Sequence, residues 1–115
     1  MTDTGPVPEV VAGCADIVAR GDPDRFRATM AAPVRARALL FPIYAFNLEV
    51  ARAPWVSPEP MIGEMRLQWW RDVIDEIGAG APPRAHDVAA ALAAVAGQGR
   101  LPLDVLDRLA AAHRV

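Results

Sequence analysis

The chain has 115 residues, of which 53% are hydrophobic and 23% charged, and its formal net charge is -2. That balance excludes disorder along the whole length, excludes the basic footprint of a nucleic-acid binder, and fits one small domain or a piece of a larger one. A single Cys excludes an internal disulfide and a cysteine-rich metal site.

Met1 to Pro8 is polar and proline-containing and reads as a disordered tail. It carries Asp3 and no basic residue, so neither a secretory signal nor an Arg-rich transit peptide is legible there. The domain is expected from Glu9 onward. Glu9 to Arg20 reads as a helix with Val11, Cys14, Ile17 and Val18 on one side, stopped by Gly21. Asp22 is the N-cap and Pro23 the first residue of the next helix. Its residues Phe26, Met30 and Ala31 are expected to point inward, and Pro33 ends it or kinks it. Val34 to Arg52 is a long helix bent at Pro42. Its apolar arc is Leu39, Leu40, Ile43, Phe46 and Val50. Pro54 to Pro60 is a loop. Ser57-Pro58-Glu59 then opens a helix that runs to Ile77. Gly78 to Pro83 is a turn or short linker. His86 or Asp87 opens an Ala-rich helix to Ala96. A last helix, Leu101 to Val115, carries Leu103, Leu106, Leu109 and Ala110 at helical spacing. It has no stop signal, so truncation at the C-terminus is expected. The longest uninterrupted apolar run, Ala38 to Phe46, is nine residues and holds Pro42. It is too short for a bilayer. The fold class is all-α, with about five helices and no sheet. A cytoplasmic protein is the default, with peripheral membrane attachment as the second expectation.

Polar residues inside apolar arcs are the candidates for function. In the Ser57 to Ile77 helix, Ile62, Met65, Trp69, Trp70, Val73, Ile74 and Ile77 form a wide arc. Arg66 falls in the middle of it. A central Arg pairs with an acid, stacks on Trp, snorkels out or contacts a ligand anion. Trp69 and Trp70 are expected to be core anchors of similar weight. Asp72, Asp75 and Glu76 lie within one turn of each other. They read first as a solvated acidic face and only second as metal ligands. In the long helix, Asn47 lies inside the arc and reads as an amide bridging helices. Arg37 and Tyr44 lie near its edge. Glu49 and Arg52 read as solvated. Cys14 reads as a small buried apolar residue, His86 as a cap and His113 as exposed. No phosphate loop, nucleophile elbow or zinc spacing is present.

Beyond the arcs, four segments carry a resemblance. They are Asp24-Arg25-Phe26, Pro33-Val34-Arg35-Ala36-Arg37, Ile43-Tyr44-Ala45-Phe46-Asn47-Leu48-Glu49, and Glu59 through Asp72, with Arg66-Leu67-Gln68-Trp69-Trp70-Arg71-Asp72 the most specific part. Together they resemble the N-terminal half of the squalene/phytoene synthase family. The resemblance implies an isoprenoid synthase-type helical bundle, of which residues 9–115 would be the N-terminal part. Family enzymes join two prenyl diphosphates head to head, with Mg2+ held by two Asp-rich helical motifs. Ionising an allylic diphosphate needs cations on the leaving group and a dry cavity for the carbocation.

The sequence departs from that pattern at the first Asp-rich motif. The motif's Arg position falls on Leu48, and its first and last Asp positions fall on Ala51 and Trp55. Pro54 would also break the helix meant to display them. Of the substrate cavity, Arg37, Tyr44, Asn47 and Arg66 remain as the residues the resemblance would place along its wall, with no catalytic residue and no metal ligand. The Phe46-Asn47-Leu48-Glu49 variant is similar to a branch of the family that includes a mitochondrial complex I assembly factor and is considered non-catalytic. The expected function is therefore binding or complex assembly without prenyl transfer. The alternative is a truncated head-to-head prenyltransferase. No cofactor is expected in this chain, and Mg2+ only in an active full-length enzyme. Expected partners are a prenyl or other apolar ligand, a membrane surface or a protein complex, or else the missing C-terminal half or a second copy covering open apolar surface. Nucleic acid is not among them.

Overall fold

The computed structural model describes residues 8–99 and 103–112, without the side chain of Leu109. The tail Met1 to Val7, the start of the last helix at Leu101 and Pro102, exposed His113 and the inward leucine side chain at 109, all expected from the sequence, lie outside them. Among the described residues six α-helices follow one another: α1 Pro8–Gly21, α2 Pro23–Met30, α3 Val34–Arg52, α4 Pro60–Gly78, α5 Asp87–Gly97 and α6 Leu103–Ala112. A short 3-10 turn, Ala53–Trp55, continues α3. No strand occurs among the described residues. The all-α expectation of about five helices holds, and each observed helix falls on a segment read as helical from the sequence. Pro8 belongs to α1 and not to the tail, because proline suits the first turn of a helix.

The local signals act where chemistry puts them. The Asp22 carboxylate accepts from the Arg25 amide at 3.2 Å and caps α2. His86 Nδ1 accepts from the Val88 amide at 3.1 Å and caps α5. Helix α4 begins at Pro60, three residues later than the Ser57 signal suggests. The Ser57 hydroxyl is spent inside the loop, accepting from the Glu59 amide at 3.1 Å. At the other end of α4 the Ala81 amide returns to the Glu76 carbonyl at 2.9 Å. Gly80 between them takes φ +79°, a left-handed turn that glycine adopts without strain.

Helix α1 packs against α2, α3 and α5, while α4 packs against the 3-10 turn, α5 and α6. Cys14 and Val18 of α1 are buried, as their periodicity requires. The core joins them to Phe41, Phe46, Val50, Leu67, Trp70, Ile74, Leu92 and Leu106. Phe46 meets Trp70 edge-on, ring centroids 5.6 Å apart, a favoured aromatic geometry. Arg71 of α4 grips Asp107 of α6 through two bonds of 3.0 and 3.2 Å, beside buried Leu106 and Ala110.

Three faces differ from expectation. In α2, Phe26 turns in against Phe41, but Met30 and Ala31 are exposed and Thr29 is buried. The Thr29 hydroxyl donates to the Arg25 carbonyl at 2.7 Å, which satisfies it within its own helix. In α3 the buried line is Phe41, Ala45, Phe46 and Val50, while Leu39, Leu40 and Ile43 are half-buried. In α4 the buried line is Gly63, Leu67, Trp70, Val73 and Ile74. Ile62 and Met65 are exposed. A Cβ built on Gly63 would stand 3.0 Å from both the Ala53 carbonyl oxygen and the Pro54 Cα. The missing side chain lets the 3-10 turn lie on α4, with the Ile62–Met65 side facing outward.

Candidate functional site

An open groove of about 350 Å³ lies beside α4. Its walls are Ile62, Met65, Arg66, Trp69 and Trp70 of α4, with Glu49 of α3 and the His86 cap of α5. Trp70 is the buried floor at 4% exposure, and Trp69 is half-buried above it. The two indoles meet edge to face with centroids 4.7 Å apart. His86 lies 5.2 Å from Trp70 and 5.6 Å from Trp69. The Arg84 guanidinium stands 5.3 Å from the Trp69 ring centroid while binding Glu76 through two bonds of 2.9 and 2.6 Å. Trp69 is therefore fixed on several sides. The two tryptophans are not equal core anchors: one carries the core, the other shapes the groove.

Arg66 is exposed on the groove wall and makes no ion pair among the described residues. Most other described arginines are neutralised. Arg20, Arg25, Arg27, Arg52, Arg71, Arg84 and Arg108 all face a carboxylate. Arg66 is thus not at the centre of the buried stripe but at the border between that stripe and solvent.

The other three candidates stand elsewhere. Arg37 donates from Nη2 to the Met30 carbonyl at 2.7 Å and so ties α3 to the end of α2. Its Nε is buried and finds no partner among the described residues. Tyr44 lies beneath Arg25, whose guanidinium carbon is 4.7 Å from the ring centroid. Asn47 is half-buried and has no side-chain hydrogen bond among the described residues. Neither Arg37, Tyr44 nor Asn47 lines the groove with Arg66. Ile62, Met65, Glu49 and His86 were not singled out as site residues by sequence. The usable signal was Arg66 itself, since a charge set among apolar residues marks the edge of a face and not its middle.

The acidic edge of α4 resolves into separate contacts. The Asp72 carboxylate accepts from the Gln68 amide at 2.9 Å, Glu76 holds Arg84, and Asp75 is exposed. The Arg84 hydrogen bond holds the Glu76 carboxyl below its ordinary range, and Arg71 does the same for Asp107. Among the described residues no group of three or more His, Cys, Asp or Glu is placed to hold a metal ion. Burial, helped by the Asp87 charge, pushes the Cys14 thiol up to about 12.

The squalene/phytoene synthase family model matches residues 18–114. The chain belongs to the squalene/phytoene synthase family. Three relatives also align with it. Two are named NADH dehydrogenase (ubiquinone) complex I, assembly factor 6: the Bos taurus protein is 30% identical over 70 residues and the Homo sapiens protein 29% over 70. The Drosophila melanogaster homolog of that factor is 38% identical over 66 residues. These alignments cover 61%, 61% and 55% of this chain but only 21%, 21% and 19% of the relatives. The matched part is thus about a fifth of each relative's length. No solved structure matches the chain.

Family membership raises the question of magnesium, and the residues present do not fit it. Ala51 and Trp55 offer no oxygen donor from their side chains. Helix α3 ends at Arg52, and the backbone at Trp55 has passed into the 3-10 turn. Trp55 is 85% exposed. The nearby carboxylate, Glu49, faces Arg52 at 4.0 Å.

Proposed function

We propose that this chain is a binding and assembly protein built on the squalene/phytoene synthase fold, and that it performs no prenyl transfer. The observation that carries the reading is the end of α3. Where the family's first Asp-rich motif would extend, the helix stops at Arg52 and leads into an exposed Trp55. A diphosphate leaving group needs paired oxygen donors for its cations, and neither Ala51 nor Trp55 supplies one. The names of the three relatives support a complex-assembly role, with a respiratory NADH dehydrogenase as the object assembled. No helix among the described residues is long and apolar enough to cross a membrane. The assembly role carries the proposed place of action, a membrane surface reached through a protein partner.

The test is removal of the gene from its host, with membranes resolved on native gels stained for NADH dehydrogenase activity. The reading expects the fully assembled complex to fall while squalene and phytoene levels stay unchanged. An intact complex with a loss of squalene or phytoene would overturn it in favour of the prenyltransferase alternative.

A further inference from the structure

The N-terminal half of α4 is apolar on two sides. One side, Gly63, Leu67 and Trp70, is buried. The other carries Met61, Ile62 and Met65, exposed by 71%, 39% and 60%, and runs on to half-buried Trp69. At 100° per residue Met61 and Met65 point away from the buried line. They are therefore not the fringe of the core but a second face. Its two edges carry opposite charges. Glu64 lies along one and Arg66 along the other, and neither is ion-paired among the described residues.

Resting on the assembly reading above, we propose that this face binds an amphipathic helix of the partner protein. That helix carries apolar anchors between an acidic edge, which meets Arg66, and a basic edge, which meets Glu64. Three observations select this occupant. Apolar residues at i, i+1, i+4 and i+8 along α4 match the spacing at which a packed helix inserts its side chains. Methionine is unbranched and adapts to the surface it meets. The groove alongside is open and, at about 350 Å³, at the small end of ligand pockets, so it takes side chains better than it encloses a whole small molecule. An anionic lipid surface fits poorly, because Glu49, Glu59 and Glu64 flank the same apolar residues.

The experiment places a photo-crosslinking amino acid at Met65, or at Arg27 as a control on exposed α2, in the full chain expressed in its host. Crosslinked peptides are then identified by mass spectrometry. The expected product joins position 65 to an amphipathic helix of another protein with acidic and basic edges. Its yield should fall several-fold with Arg66→Glu and be kept by Arg66→Lys. Crosslinks from position 65 to a second copy of the chain, or to lipid, would overturn the proposal. So would silence at position 65, whether or not position 27 captures a protein. If position 27 alone captures an NADH dehydrogenase subunit, the surface is wrong and the assembly reading stands. If the gene-removal test fails, the assembly reading falls whatever is crosslinked.

Discussion

The three tryptophans occupy three environments, and each has its own consequence. Trp70 is 4% exposed against Phe46, so Trp70→Ala should cost about 3–5 kcal/mol. That approaches the whole stability of a domain this size. Trp69→Ala should cost clearly less, and Trp55→Ala should change stability by no more than about 0.5 kcal/mol. Urea denaturation followed by circular dichroism ranks the three. Equal losses at Trp69 and Trp70 would mean that the groove wall is core. The carboxylates make a pH prediction. Glu76 and Asp107 have folded-state pKa values lowered by Arg84 and Arg71. A depressed carboxyl stabilises the fold above its unfolded pKa, and that contribution disappears as pH falls through the folded value. Thermal melts should therefore lose stability below the ordinary carboxylate range, near pH 4. The double variant Glu76→Gln with Asp107→Asn should show a weaker acid dependence. At Cys14, a thiol raised to about 12 by burial should resist alkylation at pH 8 in the native state and react once unfolded. Iodoacetamide labelling with and without urea measures this.

Helix α4 admits the 3-10 turn through one absent side chain. Gly63→Ala would normally favour a helix by about 1 kcal/mol. Here the new methyl meets backbone at 3.0 Å on two atoms that cannot rotate away. The substitution should lower the melting temperature, and a rise would show that the 3-10 turn is free to move. The same helix shows what was legible from sequence. Caps and breakers at Asp22, Pro33, Gly78 and His86 act locally, and the element ends they mark are close to those observed. Periodicity along α1 also placed Cys14 and Val18 correctly, because α1 offers a single apolar side. In α4 it did not distinguish two apolar sides. The packing of α4 on the 3-10 turn, α5 and α6 buries Leu67 and leaves Met65 outside, and that packing is a tertiary event. Arg66 was noticed for being out of place, but the groove around it needed residues from α3 and from the start of α5. Helical periodicity set Tyr44 and Arg37 at the edge of the α3 arc, but their contacts with Arg25 and Met30 come from the packing of α2.

At the scale of the molecule, a helical fold of the squalene/phytoene synthase family carries no side-chain oxygen donor at Ala51 or Trp55, and Met61, Ile62 and Met65 leave apolar surface exposed at the start of α4. A hydrophobic dye such as anilinonaphthalene sulfonate should bind the folded chain. Met61→Ser with Met65→Ser should reduce that signal with little change in melting temperature, since both side chains are exposed. An unchanged dye signal would place the open surface elsewhere. The central claim, that this member of the squalene/phytoene synthase family binds and does not catalyse, is most directly tested by product analysis. Isotope-labelled farnesyl or geranylgeranyl diphosphate is incubated with the chain and magnesium, with reductant present, and the extract is read by mass spectrometry. The account predicts no presqualene, squalene or phytoene product above the protein-free control; turnover to any of them would contradict it.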